Sequence, residues 1–472
     1  MINQYNDSLI KTDISSLSYA YRKKQISPTE ITRKIIERIL SKDKELNSYI
    51  TITENEALIQ AKQAEKEINS GNMKGPLHGV PIALKDLIYT KNVKTTMGSE
   101  IYKNFIPSYN ATVVEKLIKA GAVILGKLNT HQFAYGTTGD RSYFGPVRNV
   151  HNPEKISGGS SSGSGAAVAA DLCFAALGTD TGGSIRIPSS FNGIVGLKPT
   201  FGRVSKYGVF PLCWTMDTVG PMTKTVQDNA ILLNVLSGFD VNDPFCAERE
   251  TPDFTTSLNK GLKGMTIGVP KTSFFEVEND EINQSFSVML DTLQKLGGKV
   301  KFLEIPNMEE LIEAFRITLK CEAFTVHKER LQEYPDLWDE EVKNRLFTGT
   351  HINATDYITA QQIKQQAIQK FRKVFSEINV LVTPTVPILP RNINEREIKI
   401  GSSTVHISSV LNKFTGPFNL LGLPGLSMPC GVSKTGLPIG IQLVGKWFDE
   451  ATIYQIASAL EVSTKENGKQ LG

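Results

Sequence analysis

Two glycine- and serine-rich blocks contain the residue types best suited to covalent chemistry in this sequence. The first, SGGSSSGSG, covers residues 157–165, and the second, GTDTGGSIR, covers residues 178–186. A packed glycine-rich loop presents several backbone N–H groups to one point, which suits a developing oxyanion. Serine hydroxyls between the glycines can donate and accept a hydrogen bond at once and could therefore relay a proton. The blocks indicate a site that uses a serine.

A serine nucleophile needs a base, and Lys85 is the best candidate in the sequence. It follows the apolar run 80–84, which predicts a buried strand, and desolvation would lower the pKa of an amine at that position. None of the six histidines has a local pattern that marks a triad base. An ion pair between Lys85 and Asp86, or another acid, explains the same lysine equally well.

Other interpretations of the two blocks fit less well. A phosphate-binding loop lacks its Gly-Lys-Ser/Thr ending. A nucleophile elbow at 159–163 needs a preceding buried strand, whereas residues 151–156 are polar and contain a proline. An aspartic protease needs a second Asp-Thr/Ser-Gly besides 180–182. Flexible surface glycines are disfavoured because the blocks adjoin apolar segments.

The elements that would position these residues alternate between strands and helices. Ser27 and Glu30 form a capping box before an apolar helical repeat, within a helical N-terminal segment of about 14–71 that includes a helix at 54–71. Further helices are predicted at 111–120, 166–172, 280–296 and within 308–376, strands at 80–84, 122–126, 174–177, 265–269, 300–303 and 380–383, and a hairpin at 426–432 and 437–444. This alternation favours one α/β domain over residues 1–472, because no composition shift marks a boundary.

The bulk composition excludes several classes of function. With 52 Lys and Arg against 48 Asp and Glu, the net charge of +4 predicts neither a nucleic-acid nor a membrane partner. The five cysteines have no CxxC spacing, so reduced thiols in a cytoplasmic protein are expected. No His, Cys and carboxylate spacing fits a metal site, and no cofactor is predicted.

The order of Lys85, GGSS at 158–161 and DTGGSIR at 180–186 resembles the amidase-signature hydrolases. HGVP at 78–81, GLKPT at 196–200 and GLPIGIQL at 436–443 extend the similarity, which spans the chain from about residue 25 to 461. This family includes stand-alone bacterial amidases and the amidase subunit of glutamyl-tRNA amidotransferase. The resemblance implies a single α/β/α domain around a large, mixed, twisted sheet and a small-molecule amide substrate, and it leaves a homodimer open.

The resemblance also implies a Ser-Ser-Lys triad. Ser184 would attack the amide carbonyl, and Ser160 would bridge Ser184 to Lys85, with a cis peptide bond at Ser160. The implied oxyanion hole consists of backbone N–H groups of four consecutive residues, Thr181, Gly182, Gly183 and Ser184. Supporting roles are implied for Ser161, Asp180 and Arg186. No cofactor is needed, because water would hydrolyse the acyl-enzyme.

Departures from the family pattern bear on the substrate. Ser162 stands where the family usually has glycine, and Arg141 stands where many members have asparagine near the pocket. An arginine in the pocket could select a carboxylate, whereas a pair with Asp140 or another acid would leave it no such role. Trp214 either lines the acyl side of the pocket or packs in the core.

Two rival functions remain beside a stand-alone amidase. In the amidotransferase, the amidase subunit carries a stretch containing tyrosine and arginine for glutamine recognition, but the corresponding residues 319–327 here contain neither. A protein that works alone on simple amides is therefore expected. A catalytically silent scaffold is disfavoured because Lys85, Ser160 and Ser184 are all present.

Overall fold

The protein is built around one large mixed β-sheet, which the computed structural model describes within residues 9–305 and 307–466. The strands of this part of the chain are β1 (Tyr49–Ile52), β2 (Pro81–Lys85), β3 (Val123–Leu128), β4 (Ala175–Asp180), β5 (Val195–Lys198), β6 (Thr218–Thr223), β7 (Thr266–Pro270), β8 (Lys299–Leu303), β9 (Val380–Pro384), β10 (Glu397–Ile400), β11 (Ser403–His406), β12 (Gly425–Val432) and β13 (Pro438–Gly445). Eleven of them form the sheet in the order β1-β3-β2-β4-β6-β5-β12-β13-β9-β7-β8, and β10 pairs with β11 in a separate hairpin.

Helices flank this sheet. In the described residues they are α1 (Ile14–Arg22), α2 (Pro28–Leu46), α3 (Glu54–Asn69), α4 (Thr112–Lys119), α5 (Ser162–Ala169), α6 (Arg186–Asn192), α7 (Val226–Leu236), α8 (Asp280–Lys295), α9 (Met308–Glu333), α10 (Glu340–Phe347), α11 (Ala354–Glu377), α12 (Ile407–Leu411), α13 (Gly416–Leu420) and α14 (Glu450–Glu466). The predicted α/β fold class around a large mixed sheet is confirmed.

Three neighbouring parallel strands place charged residues at one edge of the sheet. Strand β2 pairs in parallel with both β3 and β4, so the carboxyl ends of all three lie on the same side. Strand β2 ends at Lys85 and β4 ends at Asp180, and both strands are buried along their whole length. The carboxyl ends of parallel strands are the common position for ligands in open α/β sheets.

The N-terminal segment begins as its sequence predicts but is not helical throughout. The Glu30 amide donates to Ser27 Oγ at 3.2 Å, and the Ser27 amide donates to Glu30 Oε2 at 2.9 Å, which completes the capping box of α2. The predicted segment 14–71 is wrong where β1 interrupts it. Four residues carry little pattern of their own, and β1 exists because it pairs antiparallel with β3.

The boundaries predicted around the glycine- and serine-rich blocks are also corrected. Helix α5 begins at Ser162, inside the first block, and not at residue 166. Small residues are needed there, because a Cβ on Gly163 would lie 2.4 Å from the Ser48 carbonyl oxygen. Strand β4 continues through Asp180, so the turn of the second block begins only at Thr181.

Elsewhere the predicted pattern survives with local differences. The helical region 308–376 consists of three helices, because Asp339 and Asn353 cap the starts of α10 and α11. The C-terminal hairpin is confirmed as the antiparallel pair β12–β13. The sequence does not predict strands β5 and β6, since their short segments contain glycine and proline, yet they lie in the middle of the sheet.

Two further expectations can be compared with the described residues. All five cysteines are free, and four of them are buried. Within residues 9–305 and 307–466, no helix combines the length and the apolar character that crossing a bilayer requires.

Candidate active site

The Lys85 amine lies inside the protein at the end of β2. Its Nζ donates to Ser160 Oγ at 2.7 Å and to Thr179 Oγ1 at 2.8 Å. The side chain has no exposed surface. Burial lowers the pKa of Lys85 to about 7, against the opposing pull of the Asp180 and Asp217 carboxylates. The alternative ion pair with Asp86 is not formed, because Asp86 faces Lys127 at 3.6 Å. An amine in this state can accept a proton near neutral pH.

Ser160 is held by backbone contacts on both sides. The Gly159–Ser160 peptide bond is cis, as the family resemblance implies. The Ser160 carbonyl accepts from Thr130 Oγ1 at 2.9 Å and from the His131 amide at 3.2 Å. The next amide, of Ser161, donates to the Ser184 carbonyl at 3.1 Å, which fixes the two glycine- and serine-rich blocks against each other.

The turn at residues 181–184 exposes backbone donors unevenly. The Gly183 amide donates to Asp180 Oδ1 at 2.7 Å. The amides of Thr181, Gly182 and Ser184 have no hydrogen-bond acceptor among the described residues. Ser184 keeps 6% of its surface exposed, whereas Ser160 has none. Three of the four amides predicted for an oxyanion hole are therefore free to bind a ligand atom, beside the one serine hydroxyl of this pair that solvent can reach.

A buried ion pair supports this turn from behind. Arg186 binds both carboxylate oxygens of Asp180 at 3.0 Å, through Nε and Nη2. The guanidinium also donates to Gln442 Oε1 at 2.6 Å, and the Asn419 amide donates to Asp180 Oδ1 at 2.8 Å. Burial opposes ionisation of Asp180, but Arg186 outweighs it and holds the pKa of that carboxyl well below its usual range. Asp180 is therefore a permanent anion that accepts the Gly183 amide.

Arg141 does not line the cavity beside the turn. Its Nε lies 3.0 Å from Glu341 Oε2 and 3.9 Å from Asp339 Oδ2. Asp140, which was one predicted partner, instead pairs with Arg396 at 2.9 Å. The prediction of Arg141 as a pocket residue is therefore not supported, because acids other than Asp140 already bind its guanidinium.

A cavity of about 410 Å³ opens next to Thr181. Trp214 lines it and is 62% exposed, so Trp214 belongs to the cavity wall and not to the core. Lys206 extends between the Phe201 and Phe245 rings, with Nζ 4.5 Å from each ring centroid. The other lining residues are largely apolar or hydroxylated: Leu87, Ala134, Thr179, Tyr207, Gly208, Val209, Phe210, Pro211, Leu212, Asp217, Thr218, Val219, Asn242, Asp243 and Pro244.

A sequence model of the amidase family matches residues 30–454, which include every residue of this site. The chain belongs to the amidase family. It is therefore an enzyme that acts on amide C–N bonds, and the site at the carboxyl ends of β2 and β4 is its candidate active site.

Known amidases resemble this chain over almost its whole length. The amidase subunit of glutamyl-tRNA(Gln) amidotransferase from Geobacter sp. (strain M21) is 39% identical over 476 residues, covering 96% of this chain and 97% of that protein. A chain of the vestigial protein complex that reveals the evolutionary origins of an s-triazine catabolic enzyme matches with a TM-score of 0.92, 28% identity and coverage of 96% and 98%. The crystal structure of an amidase matches with a TM-score of 0.87, 30% identity and coverage of 96% and 100%.

Several residues of this amidase site were not predicted. Thr179, which binds Lys85, lies inside the second block and could have been noticed there. Asp217 accepts Thr181 Oγ1 at 2.6 Å, and its only sequence signal was the family motif before Gly220. Asn419 and Gln442 are more than 230 residues away from Arg186 in sequence, and nothing local marks them.

Proposed function

We propose that this amidase works through an acyl-enzyme on Ser184, with Ser160 and Lys85 transferring the proton. The observation that carries the proposal is the 2.7 Å hydrogen bond between Lys85 Nζ and Ser160 Oγ in a place without exposed surface. A neutral lysine can take a proton that arrives through a serine hydroxyl. The free amides of the adjoining turn supply the second requirement, stabilisation of an oxyanion.

The reaction would proceed in two halves. Ser184 Oγ forms a bond to the substrate carbonyl carbon while its proton passes through Ser160 to Lys85. The carbonyl oxygen becomes an oxyanion bound by the amides of Thr181, Gly182 and Ser184. Collapse of this intermediate breaks the C–N bond, and the proton returns through Ser160 to the departing nitrogen. Water then attacks the ester by the same route and releases the carboxylic acid and free Ser184.

For the substrate, the first candidate is the amide of glutamine, with this chain as the ammonia-releasing subunit of a glutamyl-tRNA amidotransferase. The relative from Geobacter, aligned over 96% of this chain, favours this function over the stand-alone amidase that the sequence analysis placed first. Such a chain would have protein partners that receive the ammonia.

A stand-alone amidase is the second candidate, and specific observations favour it. The segment 319–327, which lacks tyrosine and arginine, lies within α9, and its Glu322 carboxylate is occupied by Thr215 and Tyr357. The lining of the cavity beside Thr181 is mostly apolar, as an uncharged amide would require.

Labelling with a fluorophosphonate tests the proposed mechanism without knowledge of the substrate. The wild type should be labelled at Ser184 alone, and Ser184→Ala should lose the label and lower turnover about 10³-fold or more. Ser162→Ala is the matched control, since Ser162 is a buried serine of the first block whose Oγ makes only a 3.5 Å contact to the Asn129 carbonyl. Labelling at Ser161, or full activity in Ser184→Ala, would contradict the mechanism.

Ammonia release separates the two substrates. The purified chain is incubated with glutamine and with a panel of simple amides, first alone and then with candidate amidotransferase subunits, charged tRNA and ATP. Glutaminase activity that requires the added subunits supports the first candidate. Turnover of simple amides by the chain alone supports the second.

Other expectations from the sequence stay predictions. One amidase domain over residues 1–472 agrees with a single sheet whose strands run from Tyr49 to Gly445. The cytoplasmic location, the homodimer and the independence from metals and cofactors are not tested by these contacts.

A further inference from the structure

The peptide unit between Gly182 and Gly183 is held at both of its polar ends. Its carbonyl, on Gly182, accepts from Thr415 Oγ1 at 2.6 Å. Its amide, on Gly183, donates to Asp180 Oδ1 at 2.7 Å. These two bonds point in opposite directions along one rigid plane, so together they define how that plane is rotated.

No side chain could take over this arrangement, because the turn is packed against its neighbours. Gly183 has a φ of 125°, which disfavours any other residue, and a Cβ added there would lie 2.3 Å from Thr415 Oγ1. A Cβ on Gly182 would lie 2.6 Å from the ring of Phe315, which is fully buried. The turn therefore depends on hydrogen bonds for its orientation.

Thr415 is also connected to the buried ion pair. Its backbone carbonyl accepts from Arg186 Nη1 at 3.3 Å, while Arg186 binds Asp180. Thr415 itself has no exposed surface. One residue thus contacts both supports of the 182–183 peptide, the hydroxyl directly and the carboxylate through the guanidinium.

We infer that Thr415 is a positioning residue for the oxyanion hole of this amidase. By holding the Gly182 carbonyl and hence the 182–183 peptide plane, it directs the neighbouring amides of Gly182 and Ser184 towards the substrate carbonyl. This inference rests on the proposed acyl-enzyme mechanism. Without the hydroxyl, the peptide could rotate, and the amides would no longer converge at the moment the oxyanion forms.

The test compares three variants of Thr415. Thr415→Val and Thr415→Ala remove the hydroxyl with and without keeping the side-chain volume, and Thr415→Ser keeps the hydroxyl. The expected result is a loss of kcat on the order of 10- to 100-fold in Val and Ala with KM within about threefold of wild type, and near wild-type kcat in Ser. The rate of fluorophosphonate labelling at Ser184 should fall in parallel, because its phosphoryl oxygen would use the same amides.

Thr385→Val is the control for loss of a buried hydroxyl elsewhere, since Thr385 Oγ1 contacts only Ser427 Oγ at 2.9 Å among side chains. It should keep kcat within about twofold of wild type. Wild-type kcat and labelling rate in Thr415→Val and Thr415→Ala would overturn the inference alone, as would an equal loss in Thr415→Ser. A wild type that is never labelled at Ser184 would instead overturn the proposed mechanism and this inference with it.

Discussion

At the scale of single residues, the site depends on which charges are kept and which are suppressed. Asp180 stays ionised because Arg186 binds both of its oxygens, and its negative charge orients the Gly183 amide. Lys85 lies in the same buried region without a carboxylate in contact, so burial favours its neutral form. The protein therefore places a fixed anion and a neutral amine at the same edge of the sheet, and only the amine is suited to accept a proton.

This difference predicts the pH dependence of activity. Only neutral Lys85 can serve as base, and its population grows as the pH rises through a pKa of about 7. We expect kcat/KM to rise about tenfold between pH 6 and 8 and then level off. Lys85→Met should lose activity by about 10²-fold or more and show no such rise.

Lys198→Met is the matched control for this experiment. Lys198 is also fully buried with a pKa lowered to about 7, but its Nζ donates to the Pro199 carbonyl at 2.9 Å and does not touch Ser160. The inflection near pH 7 should persist in Lys198→Met. An inflection that vanishes there and persists in Lys85→Met would assign the titration to the wrong lysine in our mechanism.

At the scale of secondary structure elements, the site residues depend on strand ends and helix starts. Lys85 and Asp180 come to the same edge because β2 and β4 are parallel neighbours. Ser184 comes just before α6, and the first block becomes the start of α5. Each functional residue thus lies where a buried element ends and the backbone is free to turn.

Helix α2 offers a test of local sequence signals at this scale. Ser27→Ala removes the side-chain acceptor of the Glu30 amide and should lower the free energy of unfolding by about 1 kcal/mol. Ser41→Ala, an exposed serine within the same helix, should change stability by less than about 0.5 kcal/mol. Equal effects of the two substitutions in chemical denaturation would show that the capping box contributes nothing.

At the scale of the whole molecule, the sheet joins the two halves of the chain. Strands β1 to β6 form one side of the sheet and β7, β8, β9, β12 and β13 form the other, and they meet where β5 pairs with β12. The support of the catalytic turn crosses this junction, because Arg186 contacts Thr415, Asn419 and Gln442 from the second half. The site therefore requires both halves of the sheet.

The whole enzyme should be indifferent to chelators. The proposed chemistry uses hydroxyls, an amine and backbone amides, and none of these is a metal-ligand set of the usual kind. In the described part of the chain, no group of three or more His, Cys, Asp and Glu side chains could hold a metal ion. Dialysis against EDTA should leave kcat/KM within about twofold of its starting value. Loss of activity that zinc restores would contradict the mechanism.

The sequence by itself determined those features whose signal is local. The capping box of α2 and the hairpin β12–β13 follow from neighbouring residues, and the structure confirms both. The family motifs likewise singled out Lys85, Ser160 and Ser184, because their order along the chain is distinctive. Such signals suffice when the interactions that stabilise an element lie within a few residues of one another.

Only the tertiary structure decided the features that depend on distant partners. Strand β1 needs β3, and the central strands β5 and β6 need neighbours from both halves of the sheet. Arg141 could have faced the substrate until Glu341, 200 residues later, was seen to bind it. Thr415 carried no signal, because its hydroxyl acts on Gly182, 233 residues earlier. A hydrogen bond depends on distance in space, and sequence separation alone does not reveal that distance.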